Sequence, residues 1–456
     1  MAELLDAVSD EIALADSPTP PRQLLDYGTI DFKLHNTGSA AEFIKVTPRI
    51  DKQEIVEIAL NSWELEPEPT MLLRICGSDT DRMVEAKEVI EGAIMAASAT
   101  NAWIFCAGLD FGLPSIVGQV LQQRRHACEA PLIGVVSFAS IQKREQLNLN
   151  AKGTDVATQG SKRSYTDGEP DPDMSTVSLQ PNHTHFVICD QGEGAEVKAS
   201  RSNVERAQAL LDARKRSFTF AHEIERAVSE YEGRCVPRVL LVVCGDATTL
   251  TEVLTYTRTV HQGTSCAGVV LLAAETGGLA AALSQFVKGG DVPPMWKTGA
   301  IAEQFAELKR LNEEIASRQG DEAGLKGTWQ ERKEWPLIMC MNDVHMKEVS
   351  EVCLDAAMMQ AKGQHNKVLS AVRWNAPARL ATECKHLRST RPQPQIHLSF
   401  PRPSSWPLLT HICSNRSFSS DAHQDVGPRS GKDLVRGSAI SASARAREMR
   451  HGSHRA

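Results

Sequence analysis

Short apolar runs recur along the middle of the chain, and most are separated by segments whose apolar residues have helical spacing. The runs have the length and composition of strands buried on both faces. The predicted strands are Met71–Cys76, Ala102–Ala107, Leu132–Ser137, His185–Cys189, Val239–Cys244 and Gly268–Ala273. The main predicted helices are Arg82–Ser98, Pro114–Cys128, Asn203–Glu232, Thr251–Thr259 and Leu279–Phe286. This alternation predicts an α/β fold with a mostly parallel sheet and flanking helices.

The remaining segments divide the chain further. Residues 1–26 form a polar lead-in, and residues 27–300 form the α/β domain. Within that domain, 146–180 is polar and lacks periodicity, which predicts a long surface loop with room for a small hairpin. Residues 301–384 show a helical pattern apart from a brief apolar run. Residues 385–456 are rich in Ser, Arg, Pro and His, which predicts a disordered tail.

Composition narrows the class of protein. The chain has 456 residues, 41% of them hydrophobic, and a net charge of −7, which gives no electrostatic reason to expect nucleic acid as a partner. Its 11 cysteines are scattered without a C-x-x-C pair, as in a reducing compartment. The N-terminus lacks the layout of a signal peptide, and no apolar run approaches the ~18 residues of a membrane span. We therefore expect a soluble, cytoplasmic protein.

The turns that follow the first two sheet strands are candidate anion sites. Gly77 and Ser78 follow one strand, and Gly108 and Leu109 follow the next. Glycine-bearing turns before a helix present backbone N–H groups beyond the carboxyl end of a parallel sheet. The alternative is an ordinary strand-to-helix turn with glycines for tight geometry, since neither G-x-G-x-x-G nor a P-loop is present.

Basic and aromatic residues follow the third sheet strand. Arg144, in the sequence Lys-Arg-Glu, could bind a phosphate bidentately, and Phe138 could stack on a base. The alternatives are a solvated charge cluster and a core phenylalanine. His183 and His185 would share a face of the next strand, but no third ligand is evident, so hydrogen-bonded structural histidines are favoured over a metal site.

A further turn follows the fifth sheet strand, at Gly245–Glu252. Thr249 could cap the next helix, whose N-terminus could hold an anion. Glu252 would then lie in the first helical turn. There it would be either a catalytic acid or a favourable charge against the helix dipole.

Several stretches, in this order, resemble one known family. They are NAWIFCAGLDFGLPSIVGQ, LIGVVSFASIQKREQL, LQPNHTHFVICDQGEG, VLLVVCGDATTLTEV and GTSCAGVVLLAAETG. The series resembles the N-terminal cytoplasmic region of melastatin-type transient receptor potential (TRPM) cation channels, from about Arg22 to Val287. That region is a SLOG (LSDAT) domain, a Rossmann-like nucleotide-sensing module. The most specific markers are Asn182–Phe186 and Lys143–Glu145.

The resemblance implies a ligand, a location and an assembly state. It implies a non-enzymatic domain that binds a nucleotide derivative such as ADP-ribose, with no certain cofactor and no metal. Arg144 matches a basic residue that contacts ligand phosphate, Phe138 falls where the family has an aromatic residue, and Arg201 falls near another basic contact. As part of a channel, the domain would lie at the cytoplasmic face of a membrane and form a homo-oligomer, a tetramer. The segment after Ile301 resembles the start of the family's helical region.

The chain also departs from the family pattern. Gly77-Ser78 and Ala107-Gly108 replace Gly-Gly pairs, and Asp246 adds a carboxylate where an anion would approach. Gly245–Glu252 also resembles a degraded form of the phosphoribohydrolase signature of the wider superfamily. Two alternatives therefore stand beside the sensor: an enzyme that releases a base from a nucleoside monophosphate, using Glu252, and an assembly module that binds no ligand.

Overall fold

A ten-stranded sheet forms the centre of the protein in a computed structural model. The described residues are 24–33, 40–65, 68–78, 82–126, 128–148, 161–166, 176–191, 202–262, 268–297, 299–322, 338–341 and 346–360. The strands are β1 (Leu24–Phe32), β2 (Ala40–Val46), β3 (Leu72–Gly77), β4 (Trp103–Cys106), β5 (Leu132–Ser137), β6 (Ser161–Tyr165), β7 (His185–Cys189), β8 (Arg238–Val243), β9 (Gly268–Ala273) and β10 (Ile338–Cys340).

The sheet is mostly parallel, as predicted. Its spatial order is β10-β9-β8-β3-β4-β5-β7-β2-β1-β6. Neighbouring strands are parallel except for β1 and β2, which pair antiparallel. Because β1 reverses direction and β6 runs parallel to it, these two run opposite to the other strands in the described part of the chain. The carboxyl ends of the other strands therefore meet at one edge of the sheet.

Helices cover both faces of the sheet. Within the described ranges they are α1 (Lys52–Asn61), α2 (Met83–Thr100), α3 (Leu113–Arg124), α4 (Asn203–Glu230), α5 (Ala247–Gln262), α6 (Gly278–Val287), α7 (Gly299–Glu322) and α8 (Met346–Met359). One face packs against α2, α3 and α8, and the other packs against α1, α4, α5, α6 and α7. The predicted α/β architecture with flanking helices is confirmed.

Burial on both faces explains why the strands read as uninterrupted apolar runs. Along β8, Val239 and Leu241 face α2 and α3, whereas Leu240 and Val242 face α5 and α6. Such strands need apolar residues at every position. The limits of β5, β7 and β9 are those predicted from the sequence.

The prediction of a surface loop over residues 146–180 is wrong in part. Ser161–Tyr165 forms β6 at one edge of the sheet, and the Tyr165 and Leu179 side chains are fully buried. The Tyr165 hydroxyl donates to the Gln142 carbonyl at 2.8 Å and accepts from the Leu179 N–H at 3.2 Å. An edge strand needs few apolar residues, and β6 has only this tyrosine, so the apolar pattern could not reveal it. Residues 149–160 and 167–175 lie outside the described residues.

The prediction of a helical segment over residues 301–384 also needs correction. Ile338–Cys340, the brief apolar run, adds a strand parallel to β9, and α8 packs against α2. Residues 299–322 form α7, which packs against α5 as an amphipathic helix. The described residues beyond 300 therefore pack on the same sheet as those before it. The predicted tail lies outside the described residues, as do residues 1–23 of the lead-in. Across the described ranges, no helix has both the length and the apolar composition that crossing a bilayer requires.

The packing of β6 predicts a stability difference between two neighbouring side chains. Tyr165→Phe removes the hydroxyl that bonds the Gln142 carbonyl and the Leu179 N–H, and should lower the free energy of unfolding by about 1–3 kcal/mol. Lys162→Ala, at an exposed position of the same strand, should change it by less than about 0.5 kcal/mol. Urea unfolding followed by circular dichroism measures both. Equal effects would show that the buried Tyr165 hydroxyl does not stabilise the packing of β6.

Candidate functional site

The predicted site residues lie at the carboxyl edge of the sheet, in three groups. Gly77 ends β3 and Ser78 follows it, and Thr249 lies in the first turn of α5 after the neighbouring strand β8. Gly108 and Leu109 follow β4 in the middle. The third group, Phe138 and Arg144, follows β5 on the other side. Arg201 lies outside the described residues.

Close packing between strand ends requires glycine at Gly77. A Cβ atom there would lie 2.0 Å from the Val243 carbonyl oxygen and 2.8 Å from a Leu113 methyl carbon. These distances are too short for any side chain, and the nearer atom belongs to the backbone of β8. The glycine therefore has a packing reason that is independent of any ligand, and Ser78 stands half-buried beside it.

The turn after β4 uses its backbone groups within the protein. Leu109 forms an antiparallel bridge with Leu179, in which the Asp110 N–H donates to the Ser178 carbonyl at 2.8 Å. A Cβ at Gly108 would lie 2.8 Å from the Phe186 ring and 3.1 Å from the Cα of Gly134. This turn is thus paired with a neighbouring segment, which leaves fewer N–H groups for an anion than the sequence pattern predicted.

Asp246 occupies the N-terminus of α5. Its carboxylate accepts from the Thr249 N–H at 2.9 Å and from the Thr249 hydroxyl at 3.1 Å. The helix begins at Ala247, earlier than the predicted Thr251, because Asp246 rather than Thr249 provides the side-chain cap. The negative charge that the helix dipole favours at this position is therefore supplied by the protein itself.

Beneath this turn lies a buried network centred on Arg74 of β3. The Arg74 Nε donates to Glu252 of α5 at 2.6 Å, and its Nη1 donates to Glu225 of α4 at 2.9 Å. The second Glu225 oxygen lies 3.1 Å from the Nδ1 of His222. All four side chains are buried. The network joins one strand to two helices. Glu252, which the sequence analysis offered as a catalytic acid or a charge against the helix dipole, is the ion-pair partner of Arg74 here.

Charge pairing favours the charged forms of Arg74 and Glu225. Burial acts to lower the pKa of Arg74, but the carboxylates of Glu252 and Glu225 outweigh burial, so its pKa is raised. Burial acts to raise the pKa of Glu225, but Arg74 and His222 outweigh it, so its pKa is lowered. The arginine is thus cationic and Glu225 anionic, as in a structural ion pair.

Two cations contact one aromatic ring at the end of β5. The Nζ of Lys45 lies 3.4 Å from the centre of the Phe138 ring, and the Cζ of Arg144 lies 5.8 Å from it. Arg144 also donates to the Ala139 carbonyl at 2.9 Å. Phe138 is buried, so in this arrangement its ring holds the cations by cation–π contact. Its predicted stacking on a base would require the two side chains to move.

Lys45 lies beside Phe138 at the candidate site, and the sequence analysis did not single it out. It lies one position before the end of β2, and its Nζ is 3.0 Å from the Asp190 carboxylate and 2.9 Å from the Asn148 side-chain oxygen. Only 7% of the residue is exposed. The available signal was a single charge inside the apolar run 43–46, because a lysine in a buried strand must find a partner.

His183 forms a contact with a cysteine. Its Nε2 lies 3.0 Å from the Cys106 Sγ, and its Nδ1 lies 3.4 Å from the Gln180 side-chain oxygen. Burial lowers the pKa of His183 to about 3 and raises the pKa of Cys106 to about 12. Both groups are therefore neutral near pH 7, and the thiol is not activated as a nucleophile.

His185 has different surroundings, which corrects the expectation that the two histidines share a face. The strand begins at His185, so His183 lies in the preceding turn. The His185 Nδ1 is 2.7 Å from the Thr184 hydroxyl, and its ring packs 4.8 Å from Trp63. Burial lowers the pKa of His185 to about 4. No group of three or more His, Cys, Asp or Glu side chains within the described ranges is placed to hold a metal.

The fold is that of an α/β domain with a mostly parallel sheet. Polar residues line the carboxyl edge of this sheet (the rim). A family model described as "SLOG in TRPM" matches residues 41–292, more than half of the chain. The chain belongs to this family, as the resemblance had implied. The matched region begins in β2 and ends after α6, so it includes Lys45 and the carboxyl ends of β3, β4, β5 and β8.

Individual relatives are TRPM cation channels. A member-like 2 protein of the sea anemone Nematostella vectensis is 26% identical over 235 residues, covering 49% of this chain and 14% of that protein. Mouse TRPM member 1 is 29% identical over 241 residues, covering 50% of this chain and 13% of the channel. Human TRPM member 7 is 24% identical over 245 residues, covering 50% of this chain and 11% of that channel. The chain thus matches only a small part of each relative's length.

The Arg74 network predicts a large cost for removing one charge. Glu252→Gln should lower the free energy of unfolding by about 3–5 kcal/mol, because it breaks a buried ion pair. Glu307→Gln, in the more exposed pair with Arg258, should cost no more than about 1 kcal/mol. Chemical denaturation of both variants measures the difference. A cost for Glu252→Gln as small as the control's would refute the structural role of the pair.

The buried histidines predict a loss of stability in mild acid. Their pKa values are about 3 and 4 when folded, against 6.5 when unfolded. Below pH 6.5 the unfolded chain therefore binds protons that the folded protein does not, and stability falls as the pH decreases. From pH 7 to 5, each should contribute a loss of about 2 kcal/mol. Unfolding at both pH values should show a smaller loss in His183→Gln, and an unchanged loss in the exposed control His126→Gln.

Proposed function

We propose that this domain is a cytoplasmic sensor module of a TRPM-type channel polypeptide, and that it binds a nucleotide derivative such as ADP-ribose at the carboxyl edge of the sheet. The observation that carries the proposal is the position of Arg144, whose guanidinium lies at this edge against Phe138. A guanidinium binds phosphate oxygens bidentately. The rim thus supplies the chemistry that a diphosphate requires.

The charges along the rim favour its β5–β7–β2 side as the phosphate position. Lys45 and Arg144 lie on that side. On the β3–β8 side, Asp246 caps α5 and Glu252 lies beneath it. A carboxylate repels a phosphate, so the glycine turn at Gly245 is the less favourable position. Gly77, Ser78, Gly108, Leu109 and Thr249 would then line the remainder of the ligand site, and Arg201 is proposed as a further basic contact.

The wider role follows from the relatives. The similar proteins are cation channels of which this chain matches 14% or less. Ion conduction would belong to a whole channel, and this domain would contribute ligand sensing at the cytoplasmic face of the membrane. In such a channel it would assemble as a tetramer, without nucleic acid.

No observation favours the phosphoribohydrolase alternative. Its proposed acid, Glu252, is 6% exposed and is bound by Arg74. A catalytic carboxylate in that position would have to leave its ion pair to reach a substrate. The non-enzymatic interpretation therefore remains the proposal. An assembly module without ligand stands as the outcome if binding fails while the protein self-associates.

Calorimetric titration of the full chain with ADP-ribose tests the sensor proposal. The unaltered protein should bind, and Arg144→Gln should weaken binding at least tenfold, because a charge-assisted hydrogen bond is worth about 1.5–3 kcal/mol. Arg125→Gln, at an exposed position beyond the end of α3, is the matched control and should bind normally.

Two results would count against the proposal. Absence of heat and of a thermal shift with ADP-ribose, AMP and inorganic pyrophosphate would remove ligand sensing altogether. Binding that is indifferent to Arg144→Gln would remove the site. A mass measurement in solution, with and without ADP-ribose, then separates an assembly module from a monomeric domain.

A further inference from the structure

The geometry points to Lys45 as a second phosphate-binding cation, with Asp190 as the anion that an incoming phosphate displaces. This inference rests on the proposed function and deepens it. The site would take a ligand with two adjacent phosphate groups, one for Arg144 and one for Lys45. Asp190 would compete with the ligand phosphate for the ammonium of Lys45.

The first step of the argument is the position of Lys45. Strand β2 pairs with β7 in a register that places Val46 opposite Cys189, so Lys45 and Asp190 meet where the two strands end. The other side chains on this face of β2, Ala41 and Phe43, are apolar and fully buried. A lysine at the end of such a row brings its ammonium to the carboxyl edge while its stem remains in the core.

The second step is the relation between the two cations. Lys45 lies on the Phe138 ring at 3.4 Å and Arg144 lies against the same ring at 5.8 Å, which holds both charges at the end of β5. A single phosphate-binding cation is common on protein surfaces, whereas two cations ordered by one buried ring form a built arrangement. Since both charges lie against one ring, a single ligand with two linked phosphate groups could contact both.

The third step is the role of Asp190. Its carboxylate is 3.0 Å from the Lys45 Nζ, and the same Nζ donates to the Asn148 side-chain oxygen at 2.9 Å. The Asp190 side chain is 23% exposed, whereas that of Lys45 is 8% exposed. The solvent side of the pair is therefore the carboxylate. A phosphate that approaches from the rim meets Asp190 first, repels it, and can replace it as the partner of the same ammonium.

Displacement makes a prediction that a purely structural ion pair does not. Lys45→Met should weaken ADP-ribose binding about tenfold or more, because it removes a phosphate contact. Asp190→Asn should instead tighten binding about threefold to tenfold at low salt, because it removes the competing carboxylate while keeping the side-chain shape. In the Lys45→Met background, Asp190→Asn should have little further effect, because the ammonium over which it competes is gone.

The titrations use the full chain, ADP-ribose and inorganic pyrophosphate. Lys162→Met and Asp31→Asn, which break an exposed ion pair between β6 and β1, are the controls and should leave the dissociation constant unchanged. Circular dichroism and thermal unfolding check that each variant is folded. Where Lys45→Met fails to fold, Lys45→Gln and the sign of the Asp190→Asn effect decide the question.

The outcomes separate this inference from the function on which it rests. If the unaltered protein binds and Arg144→Gln weakens binding, but Lys45→Met does not, the inference is wrong and the sensor proposal stands. Weaker binding in Asp190→Asn would likewise overturn displacement, since it would make Asp190 a supporting residue. If the unaltered protein binds neither ADP-ribose nor pyrophosphate, both the inference and the proposed function fail.

Discussion

The arrangement of layers around the sheet depends on the buried guanidinium of Arg74. It stands on β3, near the middle of the sheet, and binds Glu252 of α5 and Glu225 of α4. A buried cation must be paired, so this contact fixes the rotation of both helices relative to the strand. Asp246 and Thr249 lie one to two turns before Glu252, so the ion pair beneath that turn also sets their position at the carboxyl edge.

Burial decides how much of this fold could be predicted from the sequence. Strands β5, β7 and β9 are covered on both faces, so they appear as apolar runs with clear limits. Strands β6 and β10 are short and lie at the edges, where few apolar residues are needed, and the sequence pattern missed them as strands. A strand buried on both faces needs a continuous apolar run, which is visible in the sequence. A short edge strand is held by contacts with neighbouring segments, and these contacts leave no local sequence pattern.

The candidate site could likewise be predicted only in part from the sequence. The order of strands and turns was enough to predict that Phe138 and Arg144 lie at the carboxyl edge, which the structure shows. Lys45 and Arg74 carried a signal, since each is a lone charge in an apolar run. Their partners could not be predicted, because Asp190 and the two glutamates lie far along the chain and meet them only through strand order.

The two edge strands have a consequence for how copies of this protein can meet. Open sheet edges are templates for uncontrolled pairing between chains, and short or positively charged edge strands suppress it. Here β10 contributes three residues at one edge, and β6 presents an exposed Lys162 at the other. Strand-to-strand polymerisation is thus disfavoured at both ends of the sheet. Within the described residues, this leaves helix surfaces and turns as the places where a contact between copies could be specified by shape and charge.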